Sequence, residues 1–261
     1  MKKLFAPIAV FAVVAMLWGC GEKKDVTPNP DQSYEKVKAS GELVLGHMGM
    51  FPPMGFFDKD SNVIGFDIDV ANEVCARMGL KLKTQLIHWD TKEQELNTGK
   101  IDCIWNGMSV DSARSRSMNL SDPYLTNRLV IMVKDTAIKH LDAIKGKKIA
   151  VQKASTAEDV LVNSEVGRAS EIKVYENQEV AVQALVAADV DAVYLDEVFA
   201  KYWNVRNNTE YPILEDGFYK EVYAIGFRKK DLALRDSVNA ALASMKNDGK
   251  FAAISAKWFG K

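Results

Sequence analysis

Residues 105 to 114 read WNGMSVDSAR and bring several ligand-binding groups close together along the chain. Arg114 carries a planar guanidinium that can hold a carboxylate through two parallel hydrogen bonds, which a Lys cannot do. Ser109 offers a hydroxyl, Gly107 permits close approach of the backbone, and the Met108 carbonyl can accept a hydrogen bond from an ammonium group. Groups of these types favour noncovalent binding of a small charged solute.

The elements around this stretch place it where ligands bind in α/β proteins. It follows KIDCI, which predicts a short strand that ends in a turn. A second segment, LVAADVDAVYLD, has the same order of helix end, polar step, strand and polar tip, and it finishes at Asp196. Open α/β sheets bind ligands at the carboxyl ends of their strands. We therefore expect Arg114 and Asp196 at comparable positions in two halves of the molecule.

A helix start in the second half adds a further anion-binding feature. The segment KASTAEDV places Ser155 or Thr156 at the beginning of a predicted helix, with Glu158 downstream. Exposed amides and the positive end of the helix dipole favour an anion there. Ser155 and Glu158 are also the residues that ordinary helix capping requires, so capping and ligand contact both stay open. The same two roles are open for Asp196, which precedes the next predicted helix.

Composition narrows the classes of function. The chain has 261 residues, 48% hydrophobic and 26% charged, which is globular composition for one large or two modest domains. Lys and Arg total 34 against 35 Asp and Glu, and no basic stripe is interleaved with aromatic residues, so a nucleic-acid partner is not expected. His47, His88 and His140 have no metal-ligand spacing, and we expect neither a metal nor a cofactor.

The N-terminus has the pattern of an export signal. MKKLFAPIAVFAVVAMLWGC combines two Lys, an apolar stretch and a Gly-Cys end, and it is short for a membrane span. This predicts a signal peptide over residues 1–19 and a lipidated Cys20, with residues 20–33 as a polar linker. A plain secretory signal cleaved nearby is the alternative. Either interpretation places the mature chain outside the cytoplasm, in the periplasm or at the cell surface.

From residue 42 onward, strand and helix patterns alternate. The period of apolar residues predicts one βαβαβ unit up to residue 105 and a second one from residue 129, followed by a strand and two helices. This is the pattern of a layered α/β fold. Cys75 falls on a predicted helix and Cys103 on a predicted strand; a disulfide between them and two separate buried thiols are both open.

Several long segments resemble one protein family. They are, in chain order, FPPMGFFDKDSNVIGFDIDVANEV, GKIDCIWNGMSVDSARSRSMNLSDPYL, LDAIKGKKIAVQKASTAEDVL, VDAVYLDEVFAKYW and YAIGFRKKDLALRDSVNAALASMKNDGKFAAISAKWFG. Together they resemble the extracytoplasmic amino-acid-binding proteins that feed ABC importers, called solute-binding protein family 3. The resemblance covers nearly everything from residue 41 onward.

The resemblance implies a two-lobe, periplasmic-binding-protein-like fold of type II, in which each lobe is a sheet flanked by helices and two crossing strands join the lobes. Local patterns alone would favour two consecutive domains; the divided first lobe is implied by the family. In chain order, the implied limits are 34–125 for the first part of lobe 1, 126–128 for a hinge, 129–219 for lobe 2, 220–222 for a second hinge and 223–261 for the rest of lobe 1.

The family also implies roles for individual residues. Its members bind the main-chain atoms of an amino acid, which implies a carboxylate clamp at Arg114 and an ammonium-binding carboxylate at Asp196. The ligand-binding residues implied in this chain are Arg114, Asp196, Ser109, Met108, Gly107, Thr156, Ser155, Phe51, Trp89, Gln152 and Asn106. Asn106 either bonds across the cleft or fixes the turn, and Phe51 and Trp89 have core packing as their alternative. Leu195 is expected to add apolar lining.

One residue expected to set ligand selectivity differs from the residue found in members that bind basic amino acids. Those members have an Asp two residues after the Gly that ends the first strand, whereas this chain has Met48. We therefore expect a neutral, polar amino acid rather than a basic one. The implied partners are the permease subunits of an ABC importer and a membrane reached by the lipid anchor, with the chain itself a monomer.

Two other classes of function are weighed against transport. Some relatives on this fold are dehydratases of cyclic amino-acid precursors, of the cyclohexadienyl or arogenate kind, and such an enzyme needs an acid or base beside the reacting group. Asp196, Glu197 and the histidines are the available candidates, and no activated Ser or Cys nucleophile is apparent. A sensor would need a membrane span and a signalling module. We therefore expect a binding protein without catalytic residues.

Overall fold

The computed structural model describes residues 31–217 and 219–260. The predicted signal peptide, Cys20 and the linker as far as residue 30 lie outside the described residues. The first helix begins at Ser33, inside the end of the predicted linker, and the Ser33 hydroxyl accepts a hydrogen bond from the Leu234 N–H at 3.0 Å. The last residues of that linker are therefore packed against the C-terminal part of the chain.

The elements alternate as the α/β pattern predicts. The helices are α1 Ser33–Ser40, α2 Phe66–Met78, α3 Lys92–Asn97, α4 Ser112–Ser117, α5 Thr156–Asn163, α6 Glu165–Arg168, α7 Gln178–Val186, α8 Glu197–Asn207, α9 Leu232–Asn247 and α10 Lys250–Phe259. The strands are β1 Glu42–His47, β2 Met50–Phe51, β3 Gly55–Phe57, β4 Val63–Ile64, β5 Lys81–Leu86, β6 Cys103–Ile104, β7 Asn119–Leu120, β8 Leu125–Val133, β9 Lys148–Gln152, β10 Glu171–Tyr175, β11 Ala192–Asp196, β12 Tyr219–Tyr223 and β13 Gly226–Phe227.

The first sheet has the strand order β5-β1-β6-β13-β7. β1 pairs in parallel with β5 and β6, so the turn after β6, which begins WNGMS, leaves the carboxyl end of a central strand. β13 comes from the C-terminal part of the chain and lies between β6 and β7, antiparallel to both. The first sheet thus draws its strands from two separate stretches of sequence, an arrangement that local patterns alone did not predict.

The second sheet has the order β10-β9-β11-β8-β12. β9 and β11 run in parallel, so Gln152 and Asp196 both lie at carboxyl strand ends on the same edge of the sheet. The strand β11 is central, and each of its residues is buried because helices cover both faces of the sheet. The carboxyl edge of this sheet therefore supplies Asp196 to the region between the lobes.

Two antiparallel strands connect the lobes. β8 runs without interruption from Leu125 to Val133, and β12 pairs with it in a register that sets Asn127 opposite Glu221. The predicted hinges at 126–128 and 220–222 fall on these paired strands. The limits of the lobes and hinges stay predictions. The two five-stranded sheets are separate, as a two-lobe fold requires.

Helical periodicity identified the buried faces well. In α2, Ile68, Ala71, Val74 and Cys75 are buried, and Gly79 ends the helix in the left-handed conformation. In α9 the residues that repeat with helical period are all buried; they are Leu234, Val238, Ala241, Leu242 and Met245. The helix α2 packs on β5, and α9 packs on α2 and β7, so both helices cover part of the first sheet.

Short elements were not predicted. A three-stranded sheet of order β2-β3-β4 and the six-residue helix α4 are absent from the sequence-based assignment, because elements of two to six residues show no clear period. Trp89 begins a second short element that was not predicted, the 3-10 turn Trp89–Thr91. Both differences affect the site, since α4 carries Arg114 and the turn orients the Trp89 ring.

Within residues 31–217 and 219–260, no helix has the length and apolar character needed to cross a membrane. The same residues contain no group of three or more His, Cys, Asp or Glu side chains arranged to hold a metal ion.

Cys75 and Cys103 are both free and buried. Burial raises the pKa of the Cys75 thiol to about 12 and raises that of Cys103 well above its ordinary value. We predict that iodoacetamide alkylates neither thiol in the native protein and both in denaturant, as peptide mass spectrometry would show. A mass about 2 Da lower before reduction, with a linked peptide pair, would instead establish a disulfide, since its formation removes the hydrogen atom of each thiol.

Candidate functional site

A cavity lies between the two lobes where the carboxyl ends of both sheets meet. Its lining residues are Met48, Phe51, Trp89, Gly107, Ser109, Arg114, Leu129, Gln152, Ser155, Thr156, Ala157, Gln178 and Asp196. They surround about 300 Å³ of space between protein atoms, and the centre of a water molecule can occupy only about 20 Å³ of it. The lobes are therefore closed on each other, and only a narrow space remains between them.

Arg114 lies on α4 and is 6% exposed. Its Nη1 donates to the Ser109 carbonyl at 2.8 Å, and its Nε is 3.2 Å from Asp111 Oδ2. Asp111 Oδ1 also caps α4 by accepting from the Arg114 main-chain N–H at 2.8 Å. Burial lowers the Arg114 pKa, while Asp111 acts in the opposite direction. Fixed in this way, the guanidinium presents a desolvated positive charge to the cavity.

Trp89 forms a wall of the cavity and is 8% exposed. The Arg114 guanidinium carbon lies 5.9 Å from the centroid of its ring, and Lys92 Nζ lies 4.8 Å from it. Burial and the nearby Arg114 charge lower the Lys92 pKa to about 8. Two cations over one ring make this side of the cleft electropositive, which favours a carboxylate.

The first turn of α5 faces the same cavity from lobe 2. The Ser155 hydroxyl accepts from the Glu158 N–H at 3.1 Å, and Glu158 Oε2 accepts from the Ala154 N–H at 2.6 Å, so the predicted capping by both residues is confirmed. Thr156 and Ala157 line the cavity as the first two helical residues. Because the cap uses the third N–H of the helix, the first two stay available for an anion.

Asp196 lies opposite Arg114, at the end of β11, and is 7% exposed. Its Oδ1 accepts from Asn127 Nδ2 at 2.7 Å and from the Tyr223 hydroxyl, and its Oδ2 accepts from Gln178 Nε2. The side chain makes no capping bond to α8, although Asp196 occupies the N-cap position. The capping role considered for Asp196 is thus wrong, because Asn127, Tyr223 and Gln178 hold the carboxylate toward the cleft.

Most residues implied by the family resemblance come together in the cavity. Nine of the eleven line it; they are Arg114, Asp196, Ser109, Gly107, Thr156, Ser155, Phe51, Trp89 and Gln152. Met108 and Asn106 are fully buried behind it. The Met108 carbonyl accepts from the Ala224 N–H at 2.9 Å, and Asn106 Oδ1 accepts from the Met48 N–H at 2.9 Å. Asn106 therefore fixes the turn within lobe 1 and forms no bond across the cleft.

Apolar lining comes from a different residue than expected. Leu195 packs into the core, and Leu129 of β8 lines the cavity in its place. The register explains this, since Asp196 pairs with Leu129 across the two strands while Leu195 pairs with Val130. Neighbouring residues of a strand point to opposite faces, so Leu195 cannot share the orientation of Asp196.

Gly107 holds the turn between β6 and α4 in a conformation that other residues rarely adopt. Its φ is +59°, and a Cβ at this position would lie 2.5 Å from Phe51 Cε1. The Gly107 N–H donates to Asp67 Oδ2 at 2.7 Å, and Asp67 Oδ1 accepts from the Tyr124 hydroxyl at 2.8 Å. Asp67 was not identified from the sequence, because the residues it joins are far apart along the chain.

The fold and the site together define a two-lobe solute-binding protein. A family model described as bacterial extracellular solute-binding proteins, family 3, matches residues 43–261. The chain belongs to this family, and membership in an extracellular family indicates a periplasmic or extracellular location.

Three similar proteins show the range of the relatives. The L-cystine-binding protein TcyA of Bacillus subtilis (strain 168) is 30% identical over 271 residues, covering 100% of this chain and 98% of that protein. The structure of Tv2483 bound to L-arginine has a TM-score of 0.83 at 30% identity and covers 88% of this chain and 96% of its own. The ancestral amino acid-binding protein AncCDT-1, a precursor of cyclohexadienyl dehydratase, has a TM-score of 0.81 at 31% identity, covering 87% and 99%.

Asp67→Ala tests whether Asp67 supports the ligand-binding turn. The change leaves the Gly107 N–H and the Tyr124 hydroxyl without their acceptor, which should destabilise the protein by about 2–4 kcal/mol and lower its melting temperature by about 5–10 °C. Differential scanning calorimetry near neutral pH measures this. Asp189→Ala, at an exposed position, is the control and should change the melting temperature little. Equal effects of the two changes would contradict a supporting role for Asp67.

Proposed function

We propose that this chain is the substrate-binding protein of an amino-acid ABC transporter, which captures a free L-amino acid between its lobes and delivers it to the permease. The observation that carries the proposal is the placement of opposite charges: Arg114 and Asp196 line one cavity from different lobes. An amino acid is a small zwitterion, and enclosing either of its charges without a partner costs several kcal/mol. Opposed buried charges meet that requirement.

Each charge of the ligand has a defined set of partners. The α-carboxylate binds to the Arg114 guanidinium and to the first N–H groups of α5 at Thr156 and Ala157. The ammonium group binds to Asp196, whose carboxylate is already oriented by Asn127, Gln178 and Tyr223. Because the groups that orient these partners are in place before binding, little ordering is required when the ligand enters.

Closure of the lobes transmits binding to the permease. The closed arrangement is supported by a Lys153 Nζ to Asp90 Oδ2 pair at 2.9 Å and by a Thr156 Oγ1 to Asp111 Oδ2 contact at 3.4 Å. Ligand contacts with both lobes favour this state over an open one, and the permease recognises the closed shape. Asp111 contributes both to closure and to the carboxylate clamp, because it contacts Thr156 of lobe 2 and also bonds to the Arg114 guanidinium.

A neutral polar amino acid is the proposed ligand class. Met48 lines the cavity where a carboxylate would be needed for a cationic side chain, and its Sδ lies 3.7 Å from Gln152 Nε2. Gln152 offers a neutral polar contact, while Phe51 and Trp89 enclose the ligand. The relatives include an L-cystine-binding protein and an arginine-bound protein, so they support an amino acid but not one class of side chain. Cystine is neutral overall and belongs among the first ligands to test.

Dehydration of a cyclic amino-acid precursor is the second candidate, favoured by the similarity to AncCDT-1. Such a reaction needs an acid beside the leaving group. Among the described residues that line the cavity, Asp196 is the carboxylic acid, and donors from Asn127, Gln178 and Tyr223 hold it for ammonium binding. We propose a binding protein without catalytic residues. Product formation from prephenate or arogenate with purified protein would overturn that choice.

Residues near the N-terminus complete the proposed role. A lipid on Cys20 would tether the mature chain, as a monomer, at the outer face of a membrane close to its permease. Two acyl signals give stable anchoring, whereas one chain alone is marginal. Mass spectrometry of the processed N-terminus would detect or exclude this lipid.

A thermal-shift screen of the common L-amino acids and L-cystine tests the function itself. We predict that at least one neutral amino acid raises the melting temperature, by mass action on the folded state, and that lysine and arginine raise it less. No shift with any of these solutes, in protein freed of bound ligand by unfolding and refolding, would contradict the proposal. A larger shift with arginine than with every neutral amino acid would overturn the proposed selectivity.

Arg114→Ala then tests the carboxylate clamp with the amino acid found in the screen. Loss of a buried partner charge should weaken binding by about 3–5 kcal/mol, or two to four decades in Kd, by isothermal titration calorimetry. Arg116→Ala, on the exposed side of the same helix, is the matched control and should leave Kd unchanged within about threefold. A loss of tenfold or less in Arg114→Ala would exclude the assigned clamp.

Met48→Asp tests the basis of selectivity. A carboxylate at this position of the cavity can neutralise a cationic side chain, so the variant should bind L-arginine at least about tenfold more tightly than the wild type does. Met48→Asn controls for size and polarity without charge. Calorimetry with L-arginine decides between them, and an equal gain in Met48→Asn would show that charge at position 48 is not the determinant.

A further inference from the structure

Two carboxyl groups from different strands meet beside the predicted hinge. Asn127 of β8 lies opposite Glu221 of β12, and its Nδ2 donates to Glu221 Oε1 at 2.5 Å and to Asp196 Oδ1 at 2.7 Å. Glu221 is 6% exposed and Asp196 is 7% exposed. Both carboxyl groups are therefore within hydrogen-bond distance of one amide nitrogen, in a place with little access to water.

The donors around the pair are distributed unequally. Both Asp196 oxygens accept hydrogen bonds, from Asn127, Tyr223 and Gln178. Among residues 31–217 and 219–260, Glu221 Oε2 is a buried oxygen without a donor in hydrogen-bond geometry, although the Ser109 hydroxyl is near enough to lower the Glu221 pKa. A buried, ionised oxygen without a donor lowers the stability of the folded protein. A protonated carboxyl oxygen instead becomes a donor and needs only an acceptor. The neighbouring Asp196 carboxylate is such an acceptor.

Charges from the surrounding elements do not neutralise two carboxylates. Arg114 of α4 faces the pair, but Asp111 is already bonded to that guanidinium. The phenols Tyr194 of β11 and Tyr223 of β12 also lie nearby; their ordinary pKa of 10.0 already keeps them neutral near pH 7, and burial raises the pKa of each further. Two ionised carboxyl groups here would leave an uncompensated buried charge.

We propose that Glu221 is a positioning residue of the ammonium site, which carries a proton shared with Asp196 so that the pair presents a single negative charge to the cleft. One negative charge matches the one ammonium of an amino acid. That match rests on the proposed function, whereas the shared proton is a property of the protein and can be measured without a ligand.

The electrostatic surroundings agree with this geometry. Burial, together with the negative charge of Asp196 and a hydrogen bond to it, raises the pKa of Glu221 to about 9. Burial raises the pKa of Asp196 as well, but its hydrogen bonds with Tyr223, Glu221 and Gln178 oppose this increase. The pair therefore keeps one proton near neutral pH, and the titration of that proton belongs to both carboxyl groups together.

Stability against pH gives the first test. Glu221 has an ordinary pKa of 4.5 in the unfolded chain, so the folded protein keeps a proton that the unfolded chain releases. Wild-type protein should lose stability from this group as the pH rises from about 5 to about 9, and Glu221→Gln should not. We expect the melting temperature of the variant minus that of the wild type to grow by at least about 5 °C over this range.

A matched control is Glu210→Gln, the same substitution at an exposed position, for which that difference should stay flat. A difference for Glu221→Gln that stays constant with pH would overturn the proposal. A merely structural role for Glu221 would produce such a constant offset, so the pH profile separates the two.

Carboxyl NMR gives a second test that does not require Glu221→Gln to fold. In wild-type protein labelled with ¹³C at glutamate side chains, one resonance should titrate near pH 9, and Asp196→Asn should move its midpoint down because the neighbouring negative charge is gone. The absence of any glutamate resonance that titrates above about pH 7 would overturn the proposal. Neither measurement uses an amino acid, so their failure is distinct from failure of the ligand screen.

Discussion

Neutralisation of opposite charges in a closed cleft is the constraint on which the rest of the structure depends. Arg114 and Asp196 are both more than nine-tenths buried, so each is desolvated in the closed structure. A buried charge is tolerable only with hydrogen bonds and nearby charges of opposite sign. This explains why each has its own set of fixed partners: Ser109 and Asp111 for the guanidinium, and amide and phenol donors for the carboxylate.

The arrangement of the two sheets brings Arg114 and Asp196 to opposite sides of one cleft. Parallel strands align their carboxyl ends, so β6 and β11 each bring one polar tip to the cleft without exposing apolar strand residues. Helix α5 adds amides from a third direction, and its cap leaves the first two of them available. The fold thus supplies rigid positions for groups that would be too mobile on long loops.

Sequence patterns predicted the long helices and strands and the polar residues that follow them. Contacts between residues far apart along the chain were missed, because no local pattern indicates them. Helical period identified the buried faces of α2 and α9, and strand ends identified Arg114 and Asp196, because both signals are local. Asn127 and Glu221 are 94 positions apart along the chain and meet only through antiparallel pairing, so no local pattern indicates their contact. Leu195 was misplaced for a simpler reason: one step along a strand reverses the face.

The crossing strands link the charge of the site to the motion of the lobes. Asn127 lies on β8 and Glu221 lies opposite it on β12, the two strands of the predicted hinge. Tyr223, also on β12, donates a hydrogen bond to Asp196 in the cleft. In the proposed opening, bending at these strands would change the surroundings of both carboxyl groups and with them the stability of their charged forms. By the reciprocity of linkage, a ligand charge that stabilises Asp196 also favours the closed geometry of the strands. A hinge of exposed, uncharged residues would lack this coupling, and closure would then rely on contacts at the cleft edges alone.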